Sequence, residues 1–371
     1  MHHKSRKKAI HKIYRQINYP TVLFSIAAAL FLTACSGKKP QAIVLFIGSG
    51  MGIGHVSADH YLNSDSPFSG MPVCGLIDTR TAGERWITDA AAAATALSTG
   101  VNVNTGVLSI DQNSTPVATL LEVAKQYKKL TGVITTTSLT YAVPAAFMVH
   151  SDNWGREYEI AHQIFESNTH VLLGGGRRFF ESNTVADTNL IPLMEEKGYT
   201  FISQQNQLAV LNPAKTDKLL GLFATEALRQ ARHRSLSLKM MTEKAVGILE
   251  KNRNGFVLVV EGSQIDWRAH EKDDDGLLAE MQDFTEAIRW TLDYQKAHPD
   301  LLIVVTGTNE TGGIFLVQDN QRKGQTGIKF VTGQHTANLC PVFAKGPQSE
   351  TIHGIISNAD LGKHLISFIK E

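Results

Sequence analysis

An acid at Asp266 and an imidazole at His270 stand four residues apart in Glu261-Gly-Ser-Gln-Ile-Asp266-Trp-Arg-Ala-His270. On a helical turn that spacing aims both side chains the same way. A carboxylate and an imidazole together suit zinc, which usually takes a further nitrogen, oxygen or sulfur donor. His335, in Gly333-Gln-His-Thr336, is the candidate for that third place, and Glu261 is a further carboxylate at the head of the same segment. An isolated Asp-x-x-x-His is more often a surface pair or a helix cap, so the surrounding sequence has to decide.

The apolar run Phe256-Val-Leu-Val-Val260 just upstream reads as a buried strand of a parallel sheet. The candidate ligands therefore fall at or past a strand's carboxyl end, where open α/β sheets place their sites. Ile43–Ile47, Gly132–Thr135, Val171–Leu173 and Leu301–Thr306 supply further strands. Leu277, Met281, Phe284, Ile288 and Leu292 recur at helical spacing, as do Leu361, Leu365, Phe368 and Ile369. Strands alternating with amphipathic helices predict an α/β domain with a mostly parallel central sheet covered on both faces. No internal repeat, low-complexity stretch or Pro/Gly-rich linker breaks residues 42–371, so one domain is expected there.

Val260-Glu-Gly-Ser-Gln-Ile-Asp-Trp-Arg-Ala-His270 resembles the metal-binding segment of the alkaline phosphatase family. Ile47-Gly-Ser-Gly-Met-Gly52 is similar to that family's first strand-and-turn motif. Thr88-Asp-Ala-Ala-Ala-Ala-Ala-Thr-Ala96 with Ser98-Thr-Gly100 resembles its nucleophile helix. Pro144–His150, Val171–Gly176, Val304–Gly313, His335-Thr336 and Pro341–Pro347 complete the series in the family's order. The resemblance implies a three-layer α/β/α sandwich and a two-metal phosphoryl-transfer site. In such a site one zinc serves the leaving and attacking oxygens, and a second activates a serine that is transiently phosphorylated. A magnesium organises the site and an arginine grips the phosphate oxygens. A homodimer is a further implication.

Matched residue by residue, Asp266, His270 and His335 keep the three protein ligands of the first zinc, and Glu261 keeps a magnesium ligand. Ser49 stands where the family has the aspartate that bridges the second zinc and the magnesium. Ala90 replaces the serine nucleophile and has no atom that can attack phosphorus. Thr308-Asn309 replaces an Asp-His pair of second-zinc ligands, and neither side chain is a usual zinc ligand. Tyr141 and Val143 replace polar groups at the magnesium. Trp154 takes the place of the arginine, with Arg156 the candidate substitute for binding substrate. Loss of one preorganised group commonly costs about 10²–10³ in rate, and groups that act together fail together.

One zinc is therefore expected and a magnesium is not. The resemblance with these losses points to a catalytically degenerate phosphatase-like protein that binds a phosphate ester or a protein partner. The alternatives are a phosphomonoesterase working through a single zinc-activated water, with Ser49 a lesser candidate nucleophile, and a metal-free structural protein.

Residues 1–34 carry Lys4, Arg6, Lys7, Lys8, Lys12 and Arg15, no acid, and then the apolar stretch Val22 to Leu32. That pattern predicts a signal peptide rather than a permanent membrane span. Leu32-Thr-Ala-Cys35 resembles a bacterial lipobox, which makes Cys35 the expected lipidation site and residues 35–41 a lipidated tether. The expected location is the bacterial cell envelope, at the outer membrane facing periplasm or surface, since Ser36 rather than an acid follows Cys35. Without the six leader bases, 30 basic residues face 35 acidic ones, a net charge of about −5 and no footprint for nucleic acid. Cys74 and Cys340 sit in apolar strand-like context and are expected as buried single thiols, with a disulfide between them left open. Gly48–Gly54 lacks a complete dinucleotide or P-loop pattern and suits a tight strand-to-helix turn. Gly174-Gly-Gly-Arg-Arg178 is expected as a solvated turn, and His55, His60 and His150 as structural histidines.

Overall fold

The structure, a computed structural model, describes residues 39–63, 65–83, 85–181, 188–318 and 326–370. The leader, Cys35 and the first part of the tether lie outside these residues. The apolar runs become strands: β1 (Ala42–Gly48), β2 (Val73–Asp78), β3 (Leu130–Ser138), β4 (Val171–Gly175), β5 (Tyr199–Ile202), β6 (Lys218–Leu222) and β7 (Phe256–Gly262). Then follow β8 (Leu301–Gly307), β9 (Glu310–Thr311), β10 (Ile314–Gln318), β11 (Thr326–Phe330), β12 (His335–Thr336), β13 (Cys340–Lys345) and β14 (Gly354–Ser357). Ten of them form one sheet in the order β14-β2-β13-β8-β1-β7-β3-β4-β6-β5. Its neighbours are parallel except at β13, which runs against both β8 and β2.

The helices that cover the sheet include α1 (Ile53–Leu62), α2 (Ala90–Thr99), α3 (Glu157–Ser167), α4 (Leu238–Leu249), α5 (Gln264–Glu271), α6 (Asp274–Ala297) and α7 (Asn358–Lys370). Central strand β1 shows why they divide between two faces. Successive strand residues point to opposite sides. Ile43, Leu45 and Ile47 enter one core with Leu97 of α2, Ile160 of α3 and Leu365 of α7. Val44 and Phe46 enter the other with Met241 of α4 and Met281 and Phe284 of α6. The result is the expected three-layer α/β/α sandwich. Strands fully covered on both faces are apolar throughout, which is why they stand out as continuous runs.

Strands β1, β7 and β8 end in register at Gly48, Gly262 and Gly307. A Cβ at Gly307 would lie 2.3 Å from the Met51 carbonyl oxygen, so the chain leaving β1 can cross there only over glycine. The cysteine expectation needs correction. Cys340 is buried on β13, but Cys74 is exposed, because it lies on β2 near the sheet edge. Both are free thiols, and they face Ile77 and Phe343 across the ladder rather than each other.

Candidate metal centre

The site forms beyond the carboxyl ends of β1, β7 and β8. Helix α5 starts directly after β7 and places Asp266 in its first turn and His270 in its last. An acid near a helix N-terminus and a histidine near its C-terminus both agree with the helix dipole. His335 arrives on β12, which pairs with β9 so that His335 faces Thr311. The His270 Nε2 lies 3.4 Å from Asp266 Oδ2, and the His335 Nε2 lies 3.6 Å from Asp266 Oδ1. The two imidazole rings sit 5.1 Å apart, and one ligand atom from each of the three residues falls within 4.8 Å of the others. Among the described residues no other group of three His, Cys, Asp or Glu gathers this closely.

Each imidazole is held by its far nitrogen. His270 Nδ1 is 2.8 Å from the Gly333 carbonyl oxygen, and His335 Nδ1 is 2.8 Å from that of Thr88. A carbonyl accepts only, so both Nδ1 atoms carry hydrogen and both Nε2 atoms turn to Asp266, the usual support of a metal-ligating histidine. Burial alone would raise the Asp266 carboxyl, but hydrogen bonds and charge from His270, His335 and the Thr311 hydroxyl hold it below the ordinary range. Hydrogen bonding to Asp266, opposed by burial, lifts the His270 imidazole to about 9. A carboxylate and two imidazole nitrogens converging with backbone support fit a bound metal ion.

Glu261 stands apart from this cluster. At the end of β7 its Oε1 accepts the Ser49 hydroxyl at 2.7 Å and its Oε2 the Thr135 hydroxyl at 2.5 Å. Burial pushes its carboxyl up to about 7, while the two hydroxyls pull it down. Glu261 thus gathers one carboxylate and two hydroxyls, while Val143, buried in the core, brings no oxygen; an octahedral magnesium shell would need further oxygen donors. Ser49 is itself buried and committed to Glu261.

Ala90 is the first residue of α2. The Asp89 carboxylate caps that helix through the Ala92 N–H at 2.8 Å and accepts the Gly106 N–H at 2.7 Å. Thr88, whose carbonyl holds His335, is two residues away, and the Ala90 side chain itself packs against the apolar core. Arg156 instead pairs with Asp152 at 2.8 Å and lies near Glu159 on the surface. Trp154 packs edge-to-face on Tyr141, and Tyr141 does the same on Trp267 next to Asp266. Burial and then the charges of Asp266, Glu261 and Glu157 push the Tyr141 phenol up, so it stays neutral.

Gly174–Arg178 is not the solvated turn expected: Gly174 and Gly175 end β4, buried, and Arg177 opens the short helix Arg177–Glu181. The N–H groups of Gly176, Arg177 and Arg178 donate to the carbonyls of Glu226, Ala224 and Thr225. His150 bridges the Ser109 carbonyl and Glu122, and His60 packs on Tyr61.

The family model described as alkaline phosphatase matches residues 40–317. This chain belongs to the alkaline phosphatase family. Alkaline phosphatase 4 of Bacillus subtilis is 33% identical over 82% of this chain and 73% of its own length. Alkaline phosphatase 3 of the same organism is 28% identical over 94% of this chain and 96% of its own. The alkaline phosphatase from the Antarctic bacterium TAB5 superposes with a TM-score of 0.85 at 31% identity, covering 90% of this chain and 99% of that one. A mutant of that enzyme has been solved with Mg bound.

Within this alkaline phosphatase fold, the residues that sequence reasoning did not single out are the supports. Thr311, Thr135 and the carbonyls of Thr88 and Gly333 act through contacts between segments distant in sequence. No local spacing signals them.

Proposed function

We propose that this chain is a one-zinc member of the alkaline phosphatase family that has lost serine-phosphate turnover and binds a phosphate ester or a protein partner at the metal. Ala90 carries this reading: the first residue of α2, two positions past the carbonyl that holds His335, is an alanine packed against the core and offers no atom that could attack phosphorus. Support comes from Thr308 and Asn309, both buried and hydrogen-bonded to each other rather than left open as ligands. Asp266, His270 and His335 would hold the zinc, which when bound supplies a Lewis acid and a water of lowered pKa. Cys35 would tether the domain to the cell envelope by its lipid.

A single-zinc phosphomonoesterase is the second reading. Three protein ligands leave a coordination position open, and His270 keeps 34% of its side chain exposed beside it. Metal analysis of protein purified without chelator, alongside hydrolysis of a simple aryl phosphate, decides between the two. The expected result is about one zinc per chain, by the ligand count, with no zinc-dependent hydrolysis. Hydrolysis that requires zinc and disappears in His270→Ala would overturn the proposal in favour of the esterase. Zinc near zero would favour a structural protein. The combined variant Ser49→Asp, Ala90→Ser, Thr308→Asp and Asn309→His should gain zinc-dependent hydrolysis that the native chain lacks.

A further inference from the structure

Four buried groups form a directed chain of hydrogen bonds that ends on the metal cluster. The Gly50 N–H donates to Thr308 Oγ1 at 3.4 Å, and the Thr308 hydroxyl donates to Asn309 Oδ1 at 2.7 Å. The Asn309 amide donates through Nδ2 to Thr311 Oγ1 at 2.9 Å, and the Thr311 hydroxyl donates to Asp266 Oδ1. Thr308, Asn309 and Thr311 are each at most 1% exposed. The donors all point toward Asp266, so each bond polarises the next in a poorly screened interior.

Thr311 occupies a junction in this arrangement. Its hydroxyl holds Asp266 from α5, while its backbone pairs with His335 across the β9–β12 ladder. Its N–H also donates to the Gly50 carbonyl at 3.0 Å, and the same Gly50 approaches Asp266 so closely that a Cβ there would lie 2.5 Å from Oδ1. One residue thus ties together two elements that arrive from separate parts of the chain and between them carry all three ligands.

We propose that Thr311 is a positioning residue for the metal centre, and that Asn309 and Thr308 fix the direction of its hydroxyl. The chain orients the Asp266 carboxylate and couples it to His335. This inference rests on the zinc reading above. It assigns the order of the site to hydroxyl and amide groups that cannot themselves serve as good zinc ligands.

The test is zinc affinity of the full-length protein, measured by competition with a chromophoric chelator, together with the thermal midpoint of the zinc-free form. Thr311→Val keeps the shape and deletes the hydroxyl; it should weaken zinc binding by roughly 10–100-fold, the usual effect of losing an outer-shell partner. Thr311→Ser should restore wild-type affinity, which a purely structural loss of the threonine methyl would not allow. Asn309→Leu cuts the chain one bond further out and should weaken zinc binding by a smaller factor; it answers the question if Thr311→Val does not fold. Wild-type zinc affinity in both Thr311→Val and Asn309→Leu would overturn the positioning role while leaving the zinc site standing. A wild-type chain that binds no zinc would remove the zinc reading, and this inference with it.

Discussion

His55 shows at the scale of one residue how packing sets chemistry. Its ring is fully buried; Nδ1 accepts the Gly52 N–H at 3.1 Å and Nε2 has no partner. Burial lowers its pKa from the ordinary 6.5 to about 4, with the Asp266 charge opposing. Between those values the unfolded chain binds a proton that the folded chain does not. Stability from this group is therefore unaffected above pH 6.5, falls as pH drops from 6.5 to 4, and changes no further below that. The full loss is on the order of 3 kcal/mol. Urea unfolding of the native chain and of His55→Gln across that window should show the native chain losing more stability toward pH 4. Equal pH slopes would remove His55 as the cause. The residue types of the metal centre were legible without a structure, because Asp266 and His270 are locally spaced. The engagement of Glu261 with Ser49 and Thr135 was not, since Ser49 follows β1 and Thr135 lies on β3, both far in sequence from Glu261 on β7.

At the scale of elements, helix α2 depends on its cap. Asp89 satisfies the Ala92 N–H and, with its other oxygen, the Gly106 N–H of the following loop. Asp89→Ala should cost about 1–2 kcal/mol, the upper part of the range for losing a cap, because a second acceptor goes with it. The shift in denaturant midpoint measures this, and an unchanged midpoint would mean the loop and helix hold without it. Longer elements were legible in the sequence: the apolar runs of β1, β7 and β8 and the helical spacing of α6 and α7 all emerge where expected. The two-residue strands β9 and β12 were not legible. They have no period of their own and exist because Thr311 and His335 are brought together by the rest of the fold.

On the scale of the whole molecule, two apolar cores grip a ten-stranded sheet from opposite faces. Phe46 of β1 and Phe284 of α6 meet edge-to-face at 5.9 Å, and both are fully buried. Phe284→Ala should lower stability by about 3–5 kcal/mol through lost contact and the cavity left behind; equilibrium unfolding checks it, and a loss under about 1 kcal/mol would mean that the core collapses onto the gap. By itself the sequence determined the α/β alternation, the central strands, and the acid and two histidines of the cluster, because each is a matter of residue identity or local period. Only the tertiary structure decided how closely His335 approaches Asp266, which hydroxyls engage Glu261, that Arg156 pairs with Asp152, and that Cys74 is exposed. Those outcomes depend on which segments meet and which way side chains face after packing, and local spacing along the chain holds no information about either.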